Sequence, residues 1–187
     1  MDNMADSEHA RIAKWQNDLL PNMVDRLARD LPDAVYGKWP VLPTSYDAGF
    51  QSITYSQLAN VVNGLAWWLD EQFRLQPPAT NVLAYMGPND VRITALILAA
   101  AKTGYVIFLP SPRNSPAAHK ALFERLSCSV LLTPDPVPAP AVPIVHAVQP
   151  LLSTRIPRVE ELLGQKYPHY EYTKSFEETR WDPLFIM

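Results

Sequence analysis

Three short apolar runs, Val82–Met86, Tyr105–Leu109 and Ser129–Thr133, are separated by two segments that carry helix start and stop signals. This alternation constrains the fold more than any other feature. Strand, helix, strand, helix, strand at such spacing is the pattern of right-handed βαβ crossovers, which build a parallel sheet. Tyr105–Leu109 is apolar throughout, as a strand covered on both faces requires. The first connection begins with the turn Gly87-Pro88-Asn89-Asp90, in which Asp90 is placed to cap a helix running to Lys102. Ile93, Leu96, Ile97 and Ala100 form its buried stripe, and Gly104 fits the left-handed position that closes it. The second connection opens with Ser115-Pro116, a cap followed by a first-turn proline, and buries Leu122, Phe123 and Leu126.

Upstream of this unit the signals are more local. Pro21 suits the start of a short helix with Val24, Leu27, Ala28 and Leu31 on one face. Ala34–Trp39 reads as a strand stopped by Pro40, followed by a turn-rich stretch around Asp47 and Gly49. Thr54 and Gln57 have capping-box spacing, and Ile53 can staple onto Leu58. Leu58, Val61, Val62, Leu65, Trp68 and Leu69 continue at helical spacing, so a helix is expected over about Thr54–Phe73. Residues 1–20 read as a weakly helical tail, and 21–187 as one α/β unit.

The proline distribution shapes the remainder. The chain has nineteen prolines and six glycines. Pro134, Pro136, Pro138, Pro140 and Pro143 predict an extended, non-helical connection, because each lacks an amide donor. Val142–His146 is then expected as a fourth strand. Leu184-Phe185-Ile186-Met187 is a further β-prone run, preceded by the turn Trp181-Asp182-Pro183 and followed by no cap or helix. That ending leads to the expectation that the chain stops in mid-domain.

Charge and composition exclude several classes. Sixteen Lys and Arg against nineteen Asp and Glu leave a net charge of −3, which argues against nucleic-acid binding driven by phosphate neutralisation. The apolar run Ile93–Ala101 lies between Arg92 and Lys102 and is too short to cross a membrane. The polar, acidic N-terminus is unlike a signal or transit peptide, so a cytoplasmic protein is expected. One cysteine, Cys128, excludes an internal disulfide and reads as a small buried hydrophobe.

Chemical motifs are sparse. No GxGxxG, GxxxxGK[ST] or GxSxG pattern occurs. The Gly87–Asp90 turn could hold an anion at a helix N-terminus, but Asp90 would repel a phosphate, which favours a capped turn. His9, His119, His146 and His169 lack metal-ligand spacing. His119 is expected on an exposed helix face and His146 beside the sheet. Glu160-Glu161 and Glu177-Glu178 read as solvated surface. Arg113, in Ser111-Pro112-Arg113-Asn114-Ser115, lies beyond the carboxyl end of a central strand, where open α/β sheets bind ligands. Equally, Asn114 and Ser115 can shape the turn while Arg113 holds a carbonyl or carboxylate, and the residue types favour that reading.

The segments Tyr85–Arg92, Ala101–Tyr105 and Ser111–Ser115, together with Ile53–Leu58 and Leu131–Thr133, resemble the N-terminal part of an adenylation domain. The resemblance covers about Val24–Met187 and is nearest to fungal non-ribosomal-peptide-synthetase-like adenylate-forming reductases of α-aminoadipate-reductase type. It implies an incomplete N-terminal subdomain of the adenylate-forming, ANL-type fold. Val106-Ile107-Phe108-Leu109-Pro110 after the Lys-x-Gly-Tyr segment favours the reductase-like branch. The family's parent activity uses ATP and Mg²⁺ to make an acyl-adenylate, passes the acyl group to a phosphopantetheine thiol, and reduces it with NADPH. The family's phosphate loop, of type TSGSTGxPK, follows a strand resembling Leu184–Met187 and has no match in this chain. Nor do its acidic ribose and magnesium residues, its acyl pocket, its catalytic lysine, or its carrier and reductase domains. No catalytic, cofactor-binding or metal residue is therefore carried over, and no cofactor is expected for the chain alone. The expectation is a truncated, inactive adenylation domain. The alternative is a binding or regulatory module that docks on an intact synthetase through its last strand.

Overall fold

The computed structural model describes residues 18–42 and 45–187; the expected tail over 1–20 lies largely outside them. Its centre is a five-stranded, wholly parallel sheet built from β3 (Val82–Tyr85), β4 (Val106–Phe108), β5 (Val130–Thr133), β6 (Leu152–Arg155) and β7 (Phe185–Ile186). The strand order is β6-β5-β3-β4-β7. A separate antiparallel hairpin joins β1 (Val35–Leu42) to β2 (Ser45–Thr54).

Local signals set the first four helices as the sequence suggests. α1 (Leu20–Asp30) starts with Pro21 in its first turn and buries Pro21 and Val24, while Leu31 caps its end and stays exposed. α2 (Tyr55–Phe73) has the full capping box: Gln57 N–H donates to Thr54 Oγ1 at 3.2 Å, and Thr54 N–H donates to Gln57 Oε1 at 2.9 Å. α3 (Val91–Thr103) is capped by Asp90 and closed by Gly104 at φ +83°, a backbone conformation that disfavours any Cβ. α4 (Pro116–Arg125) is capped by Ser115, whose hydroxyl accepts from Ala118 N–H.

Alternation along the strands divides the core into two layers. Leu83, Tyr85, Ile107, Val130 and Leu132 face α1, α2, α3 and α6 (Val159–Gly164). Ala84, Met86, Phe108 and Leu131 face α4 and α5 (Val142–Ala147). The connection leaving β3 therefore runs over one face of the sheet and those leaving β4 and β5 over the other.

Several sequence expectations are corrected. Val142–His146 is helical: Ala139–Ala141 forms a 3₁₀ turn, and Pro143 sits in the first turn of α5, where a missing amide costs nothing. The fourth strand is Leu152–Arg155, a mostly exposed segment with no apolar run to announce it. The stretch around Asp47 and Gly49 is strand β2, and β1 continues through Pro40 to Leu42, because an edge position tolerates proline. The histidines are reversed. His119 is buried one turn before Phe123 on α4, whereas His146 is exposed on α5. The stripe that α4 buries thus runs through His119 and Phe123, with Leu122 and Leu126 only partly covered. Cys128 is buried as expected, its Sγ 3.4 Å from the Val82 carbonyl, and burial pushes the thiol pKa up.

Candidate functional site

In a sheet of this kind the place for a ligand is the carboxyl edge, where neighbouring connections part to opposite faces. Here that edge carries the turn after β3, the Leu109–Ser115 segment after β4, Pro134 and Asp135 after β5, and the residues after β6. A cleft of about 220 Å³ opens there, lined by Asn89, Asp90, Arg92, Pro134, Asp135, Arg158 and Glu160, with Pro40 and Gln51 of the hairpin on its far wall.

Asp90 and Arg92 dominate its chemistry. Asp90 Oδ1 accepts from the Arg92 backbone amide at 2.9 Å and so caps α3. The same carboxylate takes Arg92 Nε at 3.0 Å and Nη2 at 2.7 Å, a forked charge-assisted pair. Arg92 Nη1 reaches the Pro157 carbonyl at 3.5 Å. Burial works against the Arg92 charge, but the hydrogen bonds and field of Asp90 outweigh it and hold the guanidinium pKa above its ordinary value. Tyr85, at the end of β3, folds its ring back over the turn. Its hydroxyl lies where a Cβ on residue 87 would fall, so a side chain at that position would displace the Tyr85 ring. Burial, with the Asp90 charge second, pushes the Tyr85 phenol pKa up, so it stays neutral at physiological pH. Across the cleft mouth Arg155 pairs with Asp135 at 3.0 Å, both exposed.

This arrangement suits a scaffold rim. Among the described residues, the buried cation of the cleft, Arg92, is already matched by a carboxylate, and the α3 N-terminus is already capped by the same group, so neither is left to receive phosphate. Arg113 is exposed and does not line the cleft. Its backbone amide donates to Ser111 Oγ at 3.3 Å, and Ser115 caps α4, in line with the turn-shaping reading. Glu160, Glu161, Glu177 and Glu178 are exposed, as expected. Glu178 also completes a capping box with Ser175 at the start of α7 (Phe176–Thr179), and those hydrogen bonds lower its pKa. Among the described residues no group of three His, Cys, Asp or Glu is placed to hold a metal ion, and no helix is long and apolar enough to cross a membrane.

A larger cavity, about 340 Å³, lies at the opposite, amino end of the sheet between Pro21, Tyr105, Tyr172, Phe176 and Leu184. It is remote from the carboxyl edge. Separately, α1, α2 and α3 enclose a polar cluster that sequence reasoning missed. Lys102 Nζ, on α3, donates to Asp25 Oδ2 of α1 at 2.7 Å, to Asn63 Oδ1 of α2 at 3.3 Å and to the Tyr170 carbonyl at 2.9 Å. His169 Nε2 lies 3.0 Å from the same Asp25 oxygen. The available signal was Asn60, Asn63 and Gly64 interrupting the apolar face of α2 at spacings of three and four.

Residues 28–187 match the family described as AMP-binding enzyme. The chain is 33% identical over 153 residues to a carboxylic acid reductase of Neurospora crassa, covering 80% of this chain and 14% of that protein. It is 31% identical over 172 residues to an isocyanide synthase–NRPS hybrid of Aspergillus fumigatus, covering 90% of this chain and 11% of the hybrid. Its fold superposes with a TM-score of 0.57 and 16% identity on the O-succinylbenzoate coenzyme A synthetase of Bacillus subtilis solved with AMP, covering 81% of this chain and 34% of that one. The fold is thus that of the adenylate-forming enzymes, of which these residues make up one part. The chain belongs to the AMP-binding enzyme family and spans a small fraction of the length of the curated relatives it matches.

Proposed function

We propose that these residues form the front part of an adenylation domain whose whole protein activates a carboxylic acid with ATP, releases pyrophosphate, and carries the acyl group onward. The observation that carries this reading is the 33% identity to a carboxylic acid reductase along 80% of the chain. In the whole protein the acyl-adenylate passes to a phosphopantetheine thiol on a carrier domain, and a reductase domain delivers hydride from NADPH. Mg²⁺ offsets the charge of the triphosphate. The setting is the cytoplasm. The residues described here do not fit a triphosphate by themselves: the buried guanidinium of Arg92 is taken by Asp90, and no glycine-rich phosphate loop occurs in the chain. The part played by these 187 residues is to hold the first strands and helices in register beneath a nucleotide site built by others.

The test is ATP–pyrophosphate exchange with a panel of carboxylic acids. The 187-residue chain is expected to stay at background, whereas a polypeptide continuing into a Ser/Thr/Gly-rich loop exchanges. Exchange by the chain alone would overturn the reading. A second reading, docking on an intact synthetase, is favoured by one observation: β7 is an outer strand, with Phe185 38% exposed, and so offers an edge for strand addition.

A further inference from the structure

Residues 165–175 cross α2 as an irregular strap. The strap has little core of its own: Tyr167, Tyr170 and Tyr172 are half-buried and most of the rest is exposed. Tyr167 and Tyr170 pack on the core, Tyr170 edge-on to Trp67, and a set of polar contacts fixes the strap's backbone. Asn60 Nδ2 donates to the Leu162 and Gln165 carbonyls, and its Oδ1 accepts from Tyr167 N–H. Asn63 Oδ1 accepts from Tyr170 N–H at 3.1 Å, and Trp67 Nε1 donates to the Pro168 carbonyl at 2.9 Å. At the centre stands Lys102, whose side chain has no exposed surface and whose three acceptors come from α1, α2 and the strap. A buried ammonium that loses its partners is costly, which favours keeping the three acceptors together around it.

The strap leads through α7 to β7, which is only two residues long and pairs with β4 at Ile107 and Phe108. The Leu109 amide donates to the Ile186 carbonyl at 2.8 Å. So short a ladder contributes little to its own register. Packing along the approach is incomplete: Ile186 rests on the core and Thr179 is buried, but the 340 Å³ cavity is lined by Tyr172, Phe176 and Leu184. We infer that Lys102 is a positioning residue: by clamping the strap at Tyr170 to α1 and α2, it sets where β7 joins the sheet. That role bears on the proposed function because β7 resembles the strand that precedes the family's phosphate loop.

Hydrogen exchange read by mass spectrometry on the 187-residue chain tests it, independently of any adenylating activity. Lys102→Met keeps the aliphatic stem and removes the charge. It is expected to speed exchange on the order of a hundredfold in the strap, in β7 and at the Leu109 amide, with β5 and β6 unchanged. A uniform rise across the sheet makes Lys102 a general stability residue and overturns the inference. Loosening of the strap with an unchanged Leu109 amide overturns it as well, as does no change. Should Lys102→Met fail to fold, Lys102→Arg retains the charge and gives the same comparison. A smaller loosening confined to strap and β7 supports the positioning role; a uniform one sinks it.

Discussion

At the residue scale, the same side-chain type takes opposite roles according to what surrounds it. His119 is enclosed beside Phe123 with its Nδ1 buried and unpartnered among the described residues, and burial lowers its pKa below the ordinary value of about 6.5. The unfolded chain therefore takes up this proton first. Stability is present above about pH 6.5, falls as pH drops through that value, and levels off below the depressed native pKa. Urea unfolding at about pH 7.5 and about pH 5.5 is expected to show this loss, and His119→Leu to reduce it. An equal loss in both proteins would assign the pH dependence elsewhere. Asp90 shows a comparable economy: one carboxylate caps α3, neutralises Arg92 and leaves the rim of the cleft without a free buried cation.

At the element scale, α2 shows how much a helix can specify by itself and how much it cannot. Its start was legible in Thr54, Gln57, Ile53 and Leu58, because a capping box and a staple involve only near neighbours. The use of its middle was not. Asn60, Asn63, Gly64 and Trp67 receive a strap about a hundred residues away, a pairing that no local pattern encodes. Gly64 is part of that fit: a Cβ there would lie 2.7 Å from the Tyr167 ring. At an open helix position Gly→Ala stabilises by up to about 1 kcal/mol. Here the Tyr167 ring must shift to admit a methyl group, and overpacking costs about 1–3 kcal/mol, so Gly64→Ala is expected to destabilise by about 1 kcal/mol. The urea midpoint decides, and a stabilised variant would mean that the strap yields freely.

At the scale of the whole molecule, the sheet order leaves β6 and β7 on the outside. β6 ends in Arg155, paired to Asp135, and a charged edge resists strand addition. β7 has no such guard: Phe185 is part-exposed and Met187 is 86% exposed. Sedimentation is expected to show concentration-dependent association of the chain, with Phe185→Lys shifting it to monomer. A monomeric wild-type chain across the concentration range would remove β7 as an association edge.

What the amino-acid sequence determined by itself was the βαβαβ centre, its caps at Thr54, Asp90 and Ser115, its left-handed closure at Gly104, and the family kinship those segments carry. Each depends on residues within a few positions of one another, where backbone geometry and hydrogen bonding are settled locally. Only the tertiary structure decided that Val142–Ala147 is a helix, that the polar segment Leu152–Arg155 is a strand, which histidine is buried, and how Lys102 joins three distant elements. Those outcomes depend on which surfaces meet, and that choice is made by packing and by compensation of buried charge across long stretches of chain.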